Sequence, residues 1–219
     1  MFSDLAFVWA ALIAFAVLAY VLFDGFDLGV GILFPVFKKK EMRDQMMNSV
    51  APVWDGNETW LVLGGGGLMA AFPLAYAVVL PALYAPLTIM LLGLVFRGVA
   101  FEFRWRSQQR QYLWDLAFAG GSTAAAFAQG VALGALIQGT PVVGRAYAGG
   151  WWDWLTWFSL LTGIALVVGY ALLGATWLVM KTEGEVQEEA YRYAWASGIA
   201  TLGLIGIVSL ITPFLDPLF

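Results

Sequence analysis

The sequence predicts an all-α polytopic integral membrane protein with about six transmembrane helices, and three observations lead there. Of its 219 residues, 61% are hydrophobic and only 12% charged, against about half apolar and a quarter charged in a soluble domain. Several uncharged stretches exceed the roughly 20 residues that a helix needs to cross a bilayer. These runs are continuous rather than alternating every second residue. A backbone in lipid must satisfy itself as a helix or a closed barrel, so helices follow.

Span one is expected over residues 5–34. Its start lacks the basic region and the A-x-A-like site of a cleavable signal peptide, so it reads as a retained helix. It is long for a perpendicular crossing, and its second half contains FDGFDLGVG. Asp24 and Asp27, three residues apart, share a helix face. An ionisable group at membrane depth is a functional hypothesis by default. Burial and mutual repulsion both favour a carboxyl that holds a proton, which suits a proton-carrying pair. The alternative makes them helix-end groups near the headgroups, with Gly25, Gly29 and Gly31 loosening the helix.

Span two is expected over 56–73, entered through PVWDGNETW. Asp55 as N-cap, with Glu58 three residues later, fits a capping box. The same pair can instead form a polar entry to a proton path at the membrane end that holds Asp24, and Asp55 can serve both roles. Trp54, Asn57 and Trp60 are the accompanying aromatic and polar residues. Gly64, Gly65, Gly66 and Gly67 lie mid-span, where glycine lets membrane helices approach closely. A sharper reading leaves their bare face to a cofactor or a partner subunit. The break before the next span is placed near Phe72 and Pro73, because proline disfavours helix in the residue before it.

Span three is expected over 76–102, kinked in its first part by Pro81 and Pro86. It carries Arg97, which needs a counter-ion at membrane depth. Glu102, five residues on, lies off that face. Arg97 is therefore expected to pair with a carboxylate from another span, Asp55 or Asp24, in either a structural or a catalytic ion pair. The run FRWRSQQR reads as an ordinary anchor at the membrane surface. Spans four, five and six are expected over 113–137, 154–180 and 194–214. Trp151, Trp152, Trp154 and Trp157 open the fifth as an interfacial aromatic belt.

Nine of the eleven basic residues fall in alternate connections, after spans one, three and five. The positive-inside rule makes that face cytoplasmic and the N-terminus external. The chain has no cysteine and no histidine, so it offers no disulfide, thiolate metal site or Fe–S cluster. It also lacks the commonest ligand of haem and transition metals. Seven methionines remain, and the chain is not expected to ligate a redox centre or any metal. No nucleic-acid partner is expected.

Three segments, FDGFDLGVGILFP, VAPVWDGNETWLVLGGGGLMAAFPLAYA and FRGVAFEFR, resemble the second subunit of cytochrome bd-type quinol oxidases, a family that includes the cyanide-insensitive oxidases. The resemblance runs in register from about residue 17 to 139 and continues more loosely beyond. It implies a membrane heterodimer of the bacterial inner membrane that oxidises quinol and reduces oxygen to water. All haems, two b-type and a d-type or third b-type, would lie in the larger partner, subunit I. This chain would be haem-free, supporting that partner and contributing proton and oxygen routes. Asp24 and Asp55 inherit a role in a proton path from the cytoplasm, with Arg97 as their partner, and Trp60 lies near an oxygen route in some members. Asp27, Trp54, Asn57, Glu58 and Glu102 are supporting residues. The resemblance also implies lipid and quinone contacts, a structural ubiquinone with no motif to mark its site, and a small single-helix accessory subunit. The family has eight helices, so residues 1–219 are expected to form one transmembrane domain, the N-terminal part of the full subunit. A stand-alone proton-coupled transporter is the alternative; the absence of inverted-repeat symmetry weighs against it. A scaffold with every polar residue structural is a third reading.

Overall fold

The computed structural model describes residues 2–215, so the last four residues of the FLDPLF ending lie outside the described residues. Eight α-helices occupy most of them: α1 (Phe2–Leu33), α2 (Lys40–Val50), α3 (Trp54–Ala71), α4 (Pro73–Ala82), α5 (Tyr84–Arg106), α6 (Gln111–Ile137), α7 (Trp157–Lys181) and α8 (Glu185–Ile211). Two-residue strands, β1 (Val142–Val143) and β2 (Ala146–Tyr147), pair as a small antiparallel hairpin between α6 and α7.

Helices α1, α5, α6, α7 and α8 are long and apolar enough to cross a membrane. The expected second span is α3. Its 18 residues rise about 27 Å, close to the roughly 30 Å of a hydrocarbon core, but WDGNET makes its first turns polar. The expected third span is two helices rather than one kinked helix. Pro86 has no N–H for the Ala82 carbonyl and its ring crowds that oxygen, so the chain breaks at Leu83, leaving α4 and α5 on either side. The break at Phe72, ahead of Pro73, falls at its expected place. α7 starts at Trp157 rather than 154. Thr156 caps it, accepting from the Ser159 amide while the Ser159 hydroxyl accepts from the Thr156 amide, a reciprocal arrangement that fixes a helix start.

The packing order is α5 on α6, α6 on α7 and α7 on α8, with α1 laid against α7, α3 and α6. Small residues set the separations. A methyl group on Gly29 of α1 would fall on the Tyr170 carbonyl oxygen of α7, and one on Gly174 would fall on the Gly29 backbone. Gly93 and Gly121 bring α5 and α6 together in the same way. Close backbone approach is how membrane helices gain van der Waals contact where lipid gives no hydrophobic drive between them. Gly29 and its neighbours therefore pack α1, which stays helical through Leu33, rather than loosen it.

Aromatic and sulfur side chains fill the end of the bundle where the basic loops gather. Phe34, Phe37, Met42, Met46, Met47, Phe101, Phe118 and Leu178 are buried together there. Met42, Met46, Met47 and Val50 recur at helical spacing along one side of α2, an amphipathic pattern that folds this short helix back under α1 and α7.

Because Gly29 faces backbone that cannot swing aside, Gly29→Ala should destabilise the fold by about 1–3 kcal/mol. Gly65→Ala meets no atom within 4 Å and should be neutral or slightly stabilising, since alanine favours helix. Thermal unfolding of the two purified variants against the parent checks the contrast.

Candidate functional site: a buried charge cluster joining three helices

Arg97, on α5, has no exposed surface. Its Nη1 donates to Asp24 Oδ1 of α1 at 2.6 Å, and its Nη2 donates to Glu58 Oε2 of α3 at 3.3 Å. The Asp24 side chain is likewise fully buried, whereas that of Glu58 keeps 29% of its surface exposed. The cluster therefore runs from a buried carboxylate through a guanidinium to a carboxylate that touches the surface. Trp54 covers it from the first turn of α3. Its ring stacks on Phe101 at 4.8 Å, lies 6.0 Å from the guanidinium carbon and sits over Gly98, a placement favourable to a cation.

Asp27 lies one turn further along α1 and is also fully buried. Asn57 Nδ2 donates to its Oδ2 at 2.8 Å, and to the Phe23 carbonyl at 3.3 Å. Both aspartates thus sit inside a continuous helix rather than at its end. Asp24 Oδ2 and Asp27 Oδ1 are buried without a hydrogen-bond partner, so each carboxylate keeps an oxygen able to accept a proton.

Deeper in the bundle a second polar chain begins one turn before Asp24. Tyr20 accepts from Gln129 Nε2 at 2.8 Å, and the Tyr170 hydroxyl donates to Gln129 Oε1 at 2.8 Å. These three residues tie α1, α6 and α7 together. Toward the loops lies a further ion cluster. Arg104 is 1% exposed and donates to Asp44 and Asp115 at 2.6 Å each. Arg43 donates to Asp115 at 3.1 Å and to the Phe37 carbonyl at 2.7 Å. Arg104 is thus a buried junction of α2, α5 and α6 rather than a surface anchor.

The expected site residues divide accordingly. Arg97, Asp24, Glu58, Trp54, Asn57 and Asp27 are brought together. Asp55 is not: it is exposed, caps nothing and makes no ion pair among the described residues. The helix begins at Trp54 with Val53 as N-cap and no side-chain cap bond, so there is no capping box. Instead Asp55 and Glu58 line a groove of about 420 Å³ between α3 and α5. Trp60 turns the other way, edge-on to Phe15 at 5.7 Å. Glu102 pairs with Arg106 in the exposed last turns of α5. Gly64 and Gly67 are buried against Val17 and Ile13 of α1, whereas Gly65 and Gly66 face outward. Among the described residues no group of three His, Cys, Asp or Glu side chains is placed to hold a metal.

Sequence reasoning missed Gln129, Tyr20, Tyr170, Arg104, Asp44 and Asp115. The first three carry a readable signal, being polar groups at mid-span in apolar helices. The last three depend on α2 folding back, which no local pattern announces.

Residues 5–219 match the profile of a family described as cytochrome bd terminal oxidase subunit II. A protein named probable cytochrome oxidase subunit 2 from Haemophilus influenzae is 36% identical over 214 residues, covering 92% of this chain and 55% of that protein. Cytochrome bd-I ubiquinol oxidase subunit 2 from Escherichia coli is 34% identical over 209 residues, with the same coverage. Cytochrome bd ubiquinol oxidase subunit 2 from Bacillus subtilis is 33% identical over 193 residues, covering 85% of this chain and 56% of that protein. The chain thus spans about half the length of these relatives.

A buried ion pair that loses one partner leaves an uncompensated charge, at a cost of about 3–5 kcal/mol. Arg97→Met should therefore lower stability by that order. Glu102→Gln, which breaks only an exposed pair between neighbouring turns, should leave the unfolding temperature unchanged within error. Thermal unfolding in one detergent distinguishes the two.

Proposed function

This chain belongs to the family of subunit II of cytochrome bd terminal oxidases, and from that premise we propose that it serves as the haem-free subunit of a quinol:oxygen oxidoreductase in the bacterial inner membrane. Its work is to support a haem-bearing subunit I and to carry protons inward from the cytoplasm. Oxygen reduction to water consumes protons, and buried carboxylates can relay them without moving electrons.

The donor set agrees with a haem-free role. The chain has neither His nor Cys, and Met42, Met46, Met47 and Met90 are committed to apolar packing. The haems, held by subunit I, supply the oxygen chemistry; the residues of this chain act on the proton. Nine of the eleven basic residues lie in the connections after α1, α5 and α7 or in the helix turns beside them, which supports a cytoplasmic basic face and an external N-terminus.

The observation that carries the proton assignment is the Arg97 cluster together with its groove. Asp55, exposed at the groove, takes a proton from cytoplasmic water. Glu58, partly exposed and bonded to Arg97, passes it toward Asp24. Arg97 holds both carboxylates at fixed geometry, so the path is preorganised rather than assembled at each transfer. Asp27, steadied by Asn57, extends the acceptor set on the same face of α1. Trp60, among Phe15 and Phe23, stands beside an apolar route for oxygen. A structural ubiquinone and a single-helix accessory subunit belong to the same family-based reading.

Asp24→Asn and Asp55→Asn keep shape and remove the titrating group. In the assembled oxidase each should lower oxygen consumption with quinol, on the order of a hundredfold, while quinol affinity stays unchanged. Normal turnover with normal proton uptake in both variants would remove the relay assignment.

A further inference from the structure

At the basic end of the bundle, the connection after α1 leans on the first turns of α8, with the Phe37 and Tyr193 rings 5.5 Å apart. Beside this contact lies a cleft of about 600 Å³. Lys38, Lys39 and Arg192 line it, against a single lining carboxylate, Glu189, while Val36, Met42 and Ala196 supply apolar surface. Lys39 is bonded to Glu185. Lys38 and Arg192 have no ion-pair partner among the described residues and are exposed.

The position of this cleft along α8 decides what it can hold. The first turns of α8 carry Glu185, Glu188 and Glu189, and from Trp195 onward it presents large apolar side chains, with Trp195 75% and Ile199 63% exposed. Arg192, Trp195, Ala196 and Ile199 share one face by helical spacing. Arg192 therefore sits where that face changes from water-compatible to lipid-compatible. A ligand here meets cations at one end and an apolar helix face at the other. Basic pockets between membrane helices recognise phosphate-bearing headgroups, and a guanidinium matches phosphate oxygens two at a time.

We propose that this cleft binds the headgroup of an anionic phospholipid. Lys38 and Arg192 meet its phosphate, and its acyl chains follow the Ala196 and Ile199 face of α8. The α1–α2 connection and α8 are thereby bridged from outside the protein core, at a place where Lys38 and Arg192 have no ion-pair partner among the described residues. The site is independent of the Arg97 cluster and of the proton assignment.

The test uses the assembled complex, delipidated in detergent and offered phosphatidylglycerol or phosphatidylcholine, with bound lipid counted by native mass spectrometry. The parent complex should retain phosphatidylglycerol in preference to phosphatidylcholine. The K38Q/R192Q variant should lose that retention by about tenfold or more, with its haem spectrum and quinol oxidation intact. Glu189→Gln, which removes the lining carboxylate, should raise retention and serves if the double variant does not assemble. Millimolar inorganic phosphate should leave the lipid in place; displacement by phosphate alone would make the site one for free phosphate and overturn the proposal. Equal retention in parent and variants would overturn it. So would the absence of bound lipid in the parent.

Discussion

Arg97 places a permanent positive charge where no water reaches it, and the bundle around it is arranged to answer that charge. Two carboxylates from two other helices, Asp24 of α1 and Glu58 of α3, meet its two terminal nitrogens. α3 packs along α1 and meets α5 chiefly through side chains of its first turns: Glu58 on Arg97 and Trp54 on Phe101 and Gly98. Remove the guanidinium and two carboxylates are left without their cation, with the Trp54 contacts alone to hold the first turns of α3 to α5. Further along α3 the constraint gives way to glycine packing, with Gly64 and Gly67 seated on α1. Charge fixes one part of this interface, and close backbone approach fixes the next.

The same pairing explains how a polar path can coexist with a stable interior. A buried carboxylate is tolerable when a cation and hydrogen bonds compensate it, and each acid of the cluster has one bonded oxygen. Asp24 and Asp27 keep their second oxygens uncommitted, while the partial exposure of Glu58 joins the buried pair to the groove at Asp55. Under the proposed function these are the features a relay requires: access from one side, fixed geometry, and acceptor sites at the inner end. The Tyr20, Gln129 and Tyr170 chain continues the polar line toward the centre of the bundle. Its hydrogen bonds across three helices also bind those helices together.

Much of this was legible in the residues, and the failures have identifiable physics. The helical membrane class followed from composition, because few sequences this apolar can do anything else. That Arg97 pairs with a carboxylate from another span followed from the need to compensate a charge, with Asp24 and Asp55 both expected; the structure takes Asp24 and adds Glu58 in place of Asp55. Glu58 was misjudged because its spacing from Asp55 imitates a capping box. The helix starts at Trp54, so Asp55 points outward and Glu58, one turn later, reaches the guanidinium. Arg104 was misjudged for a different reason: its neighbours in FRWRSQQR are surface-like, and its burial depends on α2 folding back from far along the chain. The split of the third span was underestimated because two prolines five residues apart can bend a helix or end it.

Under the proposed function the Arg97–Asp24 pair is both the constraint that holds the cluster and a part of the proton path. A double variant, Asp24→Asn with Arg97→Met, separates those roles when thermal stability and proton uptake are measured on one preparation of the assembled oxidase. Removing both charges should recover much of the stability lost by Arg97→Met alone, since the fully buried Asp24 charge is gone and Glu58, left without its cation, is partly exposed, while proton uptake stays depressed. Recovery of proton uptake and turnover together with stability would exclude the pair from the proton path and leave it purely structural.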